Sequence, residues 1–225
     1  LVRAYKRMGR LDEAESWVET YLTEKPFSSA ALYASGYIFF LKEDIKKAEE
    51  LFKKALEQDD TNALALNNLG AIRLSKKSYT QAVNLVRKAI QINPKEPMFF
   101  KNLETIYKQM GNPSLIITDY NFYLKEKEDL DLIRGYGMAV GRNMRQASFR
   151  LYNKGYLEKT ILKWVEIEKI YKEIDHQSGL VSVYFSLGIL YEEKGESQNA
   201  KNYFELVLKL NPLHIQAKER LYNIR

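Results

Sequence analysis

The sequence predicts an all-α protein built as a solenoid of antiparallel helix pairs, and three observations carry that expectation. First, ALALNNLGAIRLSKKSYTQAVNLVRKAIQINP (63–94) aligns without a gap on VSVYFSLGILYEEKGESQNAKNYFELVLKLNP (181–212), setting Leu69-Gly70 on Leu187-Gly188, Ala82 on Ala200 and Asn93-Pro94 on Asn211-Pro212. Second, the steps from Gly36 to Gly70, from Ala14 to Ala48 and from Ala48 to Ala82 are each 34 residues. Third, apolar residues inside each copy recur at i, i+3, i+4 and i+7, the period of a helix buried along one side. A fixed period of this length marks a repeat architecture.

Taken in order, residues 1–28 form a partial repeat carrying Tyr5, Gly9, Ala14 and Pro26. Complete repeats follow at 29–62 and 63–96, with Gly36 and Gly70 in the first helix and Ala48 and Ala82 in the second. A degenerate repeat at 97–130 keeps Phe100, Leu103 and Tyr107 but has Glu104 and Ile116 at the small positions. The stretch 131–180 is irregular: about ten additional residues (131–140) precede a divergent repeat at 141–174, with Ser148 and Thr160 at the small positions, and six more (175–180) follow it. A longer helix near 130–153 is expected there. A repeat at 181–214 and a terminal helix at 215–225 complete a single array over 1–225. Pro26, Pro94 and Pro212 each follow a second helix, where a fixed φ and a missing N–H end it. The first repeat begins part-way through, so upstream targeting signals or domains would not be visible.

The Gly and Ala positions fall where two helix axes would approach closest. One unit of this size cannot bury a sufficient core, so stability must come from stacking. The Leu-Gly, Ala and Asn-Pro positions together resemble the tetratricopeptide repeat over most of the chain. The resemblance implies a right-handed superhelix, with first helices lining a concave face that binds protein segments.

The glycine-dense stretch IRGYGMAVGRNMR (133–145) tests the alternative that the chain does chemistry. A dinucleotide loop needs G-x-G-x-x-G between a strand and a helix. Here Gly135 and Gly137 are followed by Val140 at the third place, Gly141 comes one residue late, and no strand precedes them. Ile133, Gly137, Val140, Met144, Ala147 and Leu151 instead trace one helical face, so the glycines are expected to admit a close neighbouring helix. Zero cysteines remove thiolate nucleophiles and Cys-ligated zinc. His176 and His214 lie far apart in predicted connections with no ligand spacing. No enzyme activity, catalytic residue, metal or cofactor is expected, and no run reaches the roughly 18 apolar residues of a membrane span.

The net charge of +6 is uneven, with six basic residues to one acidic over 63–96 and nine to six over 131–180. Such blocks attract acidic peptides, anionic lipid or nucleic acid without choosing among them. Carried onto the first helices, the resemblance implies groove positions at Tyr33, Tyr37 and Phe40, then Asn67 and Asn68, then Lys101 and Asn102, and then Arg142, Arg145 and Phe149. An aromatic end, an amide ladder and a basic middle suit an extended, acidic segment, because Asn pairs with main chain in both senses and Arg grips carboxylate with two N–H groups. The five-residue clamp of chaperone-binding members would fall on Tyr33, Tyr37, Asn68, Met98 and Asn102, where only Asn68 matches, so chaperone-tail recognition is disfavoured.

The expected function is therefore a non-enzymatic interaction module or scaffold whose partner is a protein or peptide. The alternatives are a structural subunit meeting neighbours through repeat ends and the irregular middle, with self-association open, and an RNA-binding helical repeat. Nucleic acid is the less expected partner, since 34-residue units with a Gly-Ala-Pro pattern lack a base-reading code.

Overall fold

The computed structural model describes residues 2–126 and 129–224. Among them are thirteen α-helices and no strand. They are α1 (Val2–Arg7), α2 (Leu11–Glu24), α3 (Ser29–Leu41), α4 (Ile45–Gln58), α5 (Ala63–Ser75), α6 (Tyr79–Ile92) and α7 (Pro97–Gln109), followed by α8 (Leu115–Glu126), α9 (Leu130–Tyr152), α10 (Leu157–Glu173), α11 (Gln177–Glu193), α12 (Ser197–Leu210) and α13 (Ile215–Asn223). They group into two compact units, Leu1–Asn112 and Pro113–Arg225.

In the first unit side-chain caps start α3, α4, α5 and α7. Side-chain oxygens of Ser28, Asp44, Asn62 and Glu96 accept from the backbone N–H of Ala31, Lys47, Ala65 and Met98, so orphan donors in the first turns are satisfied. The turn between the helices of a pair recurs in the backbone as well as in the sequence. Gly9, Glu43, Lys77 and Gly111, each 34 residues after the last, all adopt positive φ (69°, 65°, 56° and 78°). Glu43 and Lys77 hold that conformation with a Cβ, which costs roughly 1–2 kcal/mol.

Packing follows the small positions. Ala48, Phe52 and Ala55 are fully buried in one cluster with Leu32, Leu69 and Ile72. A Cβ at Gly36 would stand 2.8 Å from the Phe52 ring, so α3 and α4 are close because that side chain is missing. Neighbouring pairs are then tied by polar links. Asn62 donates to Ser29 Oγ (2.9 Å), Ser29 donates to the Ala55 carbonyl (2.8 Å), and Glu49 on α4 takes Arg73 (2.9 Å) and Lys76 (2.6 Å) at the end of α5.

In the second unit the expected longer helix is α9, 23 residues, which absorbs the additional residues of 131–140. The residues of 175–180 contribute to the start of α11, which runs for 17. The glycine-dense segment lies wholly inside α9, with Ile133, Gly137, Val140 and Met144 buried along one face. A Cβ at Gly137 would sit 2.8 Å from the Ile174 side chain, and one at Gly141 would collide with the Tyr171 ring. The segment is a packing seam against the end of α10. Ser148 and Thr160 occupy buried small positions, and each hydroxyl is satisfied by the carbonyl four residues earlier (2.9 Å to Met144 and 2.9 Å to Tyr156). Further along, Gly188 faces Phe204, and Ala200 is fully buried.

Two stability measurements check this account. Gly141→Ala gains about 1 kcal/mol of helix propensity but must displace Tyr171, an overpacking cost of about 1–3 kcal/mol. Urea unfolding is therefore expected to show a net loss of up to about 2 kcal/mol. Lys77→Gly, at an exposed site, relieves left-handed strain and is expected to raise stability by roughly 0.5–1 kcal/mol, whereas Gly111→Ala lowers it by a similar amount.

Candidate functional site

The ten expected groove residues divide between the two units. Tyr33, Tyr37, Phe40, Asn67, Asn68, Lys101 and Asn102 lie in the first, and Arg142, Arg145 and Phe149 in the second.

In the first unit, four of the seven are joined by a chain of side-chain contacts across three helices. Asn102 on α7 donates to Asn67 Oδ1 on α5 (2.8 Å), Asn67 donates to Asn68 Oδ1 (3.3 Å), and Asn68 reaches the Tyr33 hydroxyl on α3 at 3.5 Å. Asn67 is 3% exposed and forms the floor, while Asn68 and Asn102 are half-buried. Each amide has two N–H donors and two carbonyl lone pairs, so this chain leaves hydrogen-bonding capacity at its solvent side. Tyr37 stacks on Tyr33 (centroids 6.0 Å apart, planes 9° apart), and Tyr33 stacks on buried Phe52. Phe40 packs, like Tyr33 and Tyr37, against the core cluster, and Lys101 is exposed on α7.

A cleft of about 300 Å³ opens beside Tyr33 and Tyr37, lined also by Val2, Arg3, Leu64 and Glu96. Arg3 and Glu96 bring opposite charges to it, and Arg3 Nη2 stands 4.0 Å from Met98 Sδ. Neither Arg3 nor Glu96 was expected in the site. Arg3 does carry a legible signal, since it falls 34 residues before Tyr37 and so shares its register. Burial and, next, neighbouring Tyr37 push the Tyr33 phenol up to about 12, against an opposing pull from Arg3.

In the second unit, Arg142, Arg145, Phe149 and Tyr152 follow one another along one side of α9 at steps of three and four. Arg145 Nη2 donates to the buried Tyr171 hydroxyl (3.3 Å), whose ring meets His176 edge-on at 5.0 Å. Arg134 donates from Nε to the Ile174 carbonyl (3.3 Å) beside the same corner. Burial first, and then the charges of Arg145, Arg134 and Arg142, hold the His176 imidazole below its ordinary value. Past the arginines, Phe149, Tyr152, Thr160, Trp164, Ser186, Ile189 and Leu190 line an apolar pocket of about 200 Å³. Tyr152 at its edge donates to Glu193 on α11 (2.9 Å). Trp164 and Thr160 come from a second helix, so a register argument confined to first helices does not reach them.

His176 and His214 are both helix N-caps, and His214 Nδ1 accepts from the Ala217 N–H (3.2 Å). Among the described residues, no group of three or more His, Cys, Asp or Glu side chains is placed to hold a metal, and no helix is long and apolar enough to cross a membrane.

Against known proteins, models of the tetratricopeptide repeat match residues 1–63, 39–101 and 181–212, together more than half of the chain. The chain belongs to the tetratricopeptide repeat family. Among curated relatives, human Protein O-mannosyl-transferase TMTC3 is 26% identical over 98% of this chain and 26% of its own length. The type IV pilus assembly protein PilF of Pseudomonas aeruginosa is 30% identical over 49% of this chain and 44% of its own. The chain thus spans under half the length of these relatives. Among solved structures, the C-terminal part of a TPR repeat-containing protein from Cytophaga hutchinsonii superposes with a TM-score of 0.55 at 16% identity, covering 98% of this chain and 84% of that one. The structure of Pseudomonas aeruginosa PilF does so with a TM-score of 0.50 at 21% identity, covering 96% and 91%. At these identities the structural matches establish the fold. The tetratricopeptide family and this all-helical architecture support a protein-interaction scaffold in general terms.

Tyr33 gives the first groove a pH signature. A phenol that titrates near 10 unfolded and near 12 folded stays protonated longer in the native state. Its contribution to stability is thus complete below pH 10 and declines as pH rises from about 10 to 12, by about 2–3 kcal/mol. Tyr33→Phe is expected to remove that part of the alkaline loss in denaturation measured from pH 9 to 12.

Proposed function

We propose that this chain is a non-enzymatic scaffold that binds an extended segment of a partner protein on its first-helix faces, within one array of repeats over residues 1–225. The observation that carries the reading is the amide chain Asn102–Asn67–Asn68 ending on Tyr33. Burying polar side chains along a face is costly unless they are mutually satisfied. Here they hold one another in fixed orientation across α7, α5 and α3, and offer donors and acceptors in alternation to a peptide main chain. Pre-ordered side chains lose little entropy when a ligand arrives.

The transferase name of one relative belongs to a protein of which this chain matches 26%, and both histidines here stand at helix N-cap positions, where His214 accepts a backbone N–H and His176 makes no side-chain cap bond. The proposal therefore assigns the chain no chemistry. A second reading, a subunit of a larger assembly, is favoured by one feature of the first unit, an apolar cleft of about 590 Å³ lined by Tyr5, Trp17, Val18, Tyr21 and Ala31.

Panning a displayed random-peptide library on the whole chain, alongside an Asn67→Ala/Asn102→Ala variant, separates these readings. Binders whose affinity falls about tenfold on the variant, the loss of one to two hydrogen bonds, are the expected result. Binders indifferent to the asparagines, or a chain that only self-associates in sedimentation or only captures oligouridylate, would overturn the reading.

A further inference from the structure

We propose that the second unit carries a bipartite side-chain reader on α9, in which Arg142 and Arg145 take a carboxylate and the Phe149–Trp164 pocket takes a large apolar side chain close to it in the same peptide. The inference rests on the scaffold reading and names the partner chemistry of this unit: an internal protein segment with an acidic residue two positions from an aromatic or large aliphatic one.

The geometry supplies the spacing. Arg145 and Phe149 are four residues apart on one helix face, a rise of about 6 Å. Residues i and i+2 of an extended peptide are about 6.6–7 Å apart and point to the same side. A segment running along α9 can therefore present a carboxylate to the guanidinium and its second side chain to the pocket without bending.

The pocket suits an apolar group. Phe149 is 55% exposed on one wall, and Trp164 is 4% exposed on the floor, meeting Phe149 edge-to-face at 6.0 Å. Ile189 and Leu190 complete the α11 side. An exposed Phe over a buried Trp leaves apolar surface that stacking within the unit does not use.

The charge suits a carboxylate. Arg142 and Arg145 are three apart on the same helix, where like charges repel, and Arg134 adds a third positive charge near His176. Burial is the larger cause of the depressed His176 value, and the three arginines add to it. Arg145 spends one N–H on Tyr171 and its Nε is buried without an acceptor, so a carboxylate meets the outer guanidinium nitrogens. At the far edge, Glu193 with Tyr152 gives the groove the opposite sign. The surface is thus polarised, which disfavours a uniformly anionic polymer and favours a segment with its acidic residue at the arginine end.

The test uses the whole chain and fluorescent peptides, capped at both ends, with a glutamate two residues before a phenylalanine in a Gly/Ser context. Polarisation is expected to show saturable binding that weakens at least tenfold when the glutamate becomes glutamine or the phenylalanine becomes serine. On the protein, Arg142→Glu and Phe149→Ser are each expected to cost at least tenfold, with the helical circular dichroism melt unchanged. Asn102→Ala, in the first unit, is expected to leave this binding intact. Sensitivity to Asn102→Ala but not to Arg142→Glu or Phe149→Ser would overturn this inference and leave the scaffold reading standing. So would an absence of binding at millimolar peptide, equal binding of the glutamine peptide, or tighter capture of oligouridylate lost in Arg142→Glu. A melt lowered in Phe149→Ser is resolved by Phe149→Leu, which keeps an apolar wall and is expected to retain most of the affinity.

Discussion

The close approach of two helices at a pair of small residues is the constraint on which the rest depends. Where Gly36 meets Phe52, or Gly141 meets Tyr171, a single added carbon has no room. The missing side chain on one helix is the space that the ring on the other fills. That exchange costs local helix propensity, about 1 kcal/mol per glycine. It is offset by burial of a whole aromatic ring, roughly 1.5–3 kcal/mol, in a unit too small to hold a core of its own. Stability is thus a nearest-neighbour property.

This arrangement separates the residues that hold the fold from those that can meet a partner. Second helices supply the fully buried Ala48, Phe52, Ala82, Ala200 and Phe204, and first helices give one side to that packing. The other side of α3, α5 and α7 is left to Tyr33, Asn67, Asn68 and Asn102, whose hydrogen bonds run from helix to helix while the Tyr33 ring also stacks on Phe52. A buried amide such as Asn67 contributes little to folding and is tolerated because its partners on α5 and α7 are held in register by packing elsewhere.

What could be read from the sequence follows the same division. Helix positions, the small positions and the packing role of Gly137 and Gly141 were legible because steric exclusion leaves a periodic trace. Ser148 and Thr160 were legible for the same reason, as small residues that can satisfy their own hydroxyls. The amide chain was half legible: register put Asn67, Asn68 and Asn102 on one face, but their bonding depends on rotamers. Register put Phe40 on that face too, and like Tyr33 and Tyr37 it also packs against the core cluster. Trp164 was missed because it lines the α9 pocket from α10, a second helix, and no rule about first helices includes it. Arg3 shares the register of Tyr37, yet an arginine in a partial repeat is not distinguished by pattern from a solvated one.

The two candidate surfaces differ in the physics they would use. Neutral amides bonded to a peptide main chain contribute about 1 kcal/mol per bond whatever the sequence, and added salt leaves them nearly unchanged. Arginine with an adjoining aromatic pocket rewards particular side chains, through charge-assisted hydrogen bonds roughly twice as strong as neutral ones and through burial of an apolar group. Its charged part is screened over about 8–10 Å at ordinary ionic strength. A chain that carries both divides the task of holding a partner from the task of choosing it. The irregular α9 is where choice can be built at least expense to the fold, because its packing face is already satisfied by Gly137, Val140, Gly141 and Met144 against neighbouring helices. Arg142, Arg145 and Phe149 fall outside that buried face, with Arg145 still reaching Tyr171 at the seam.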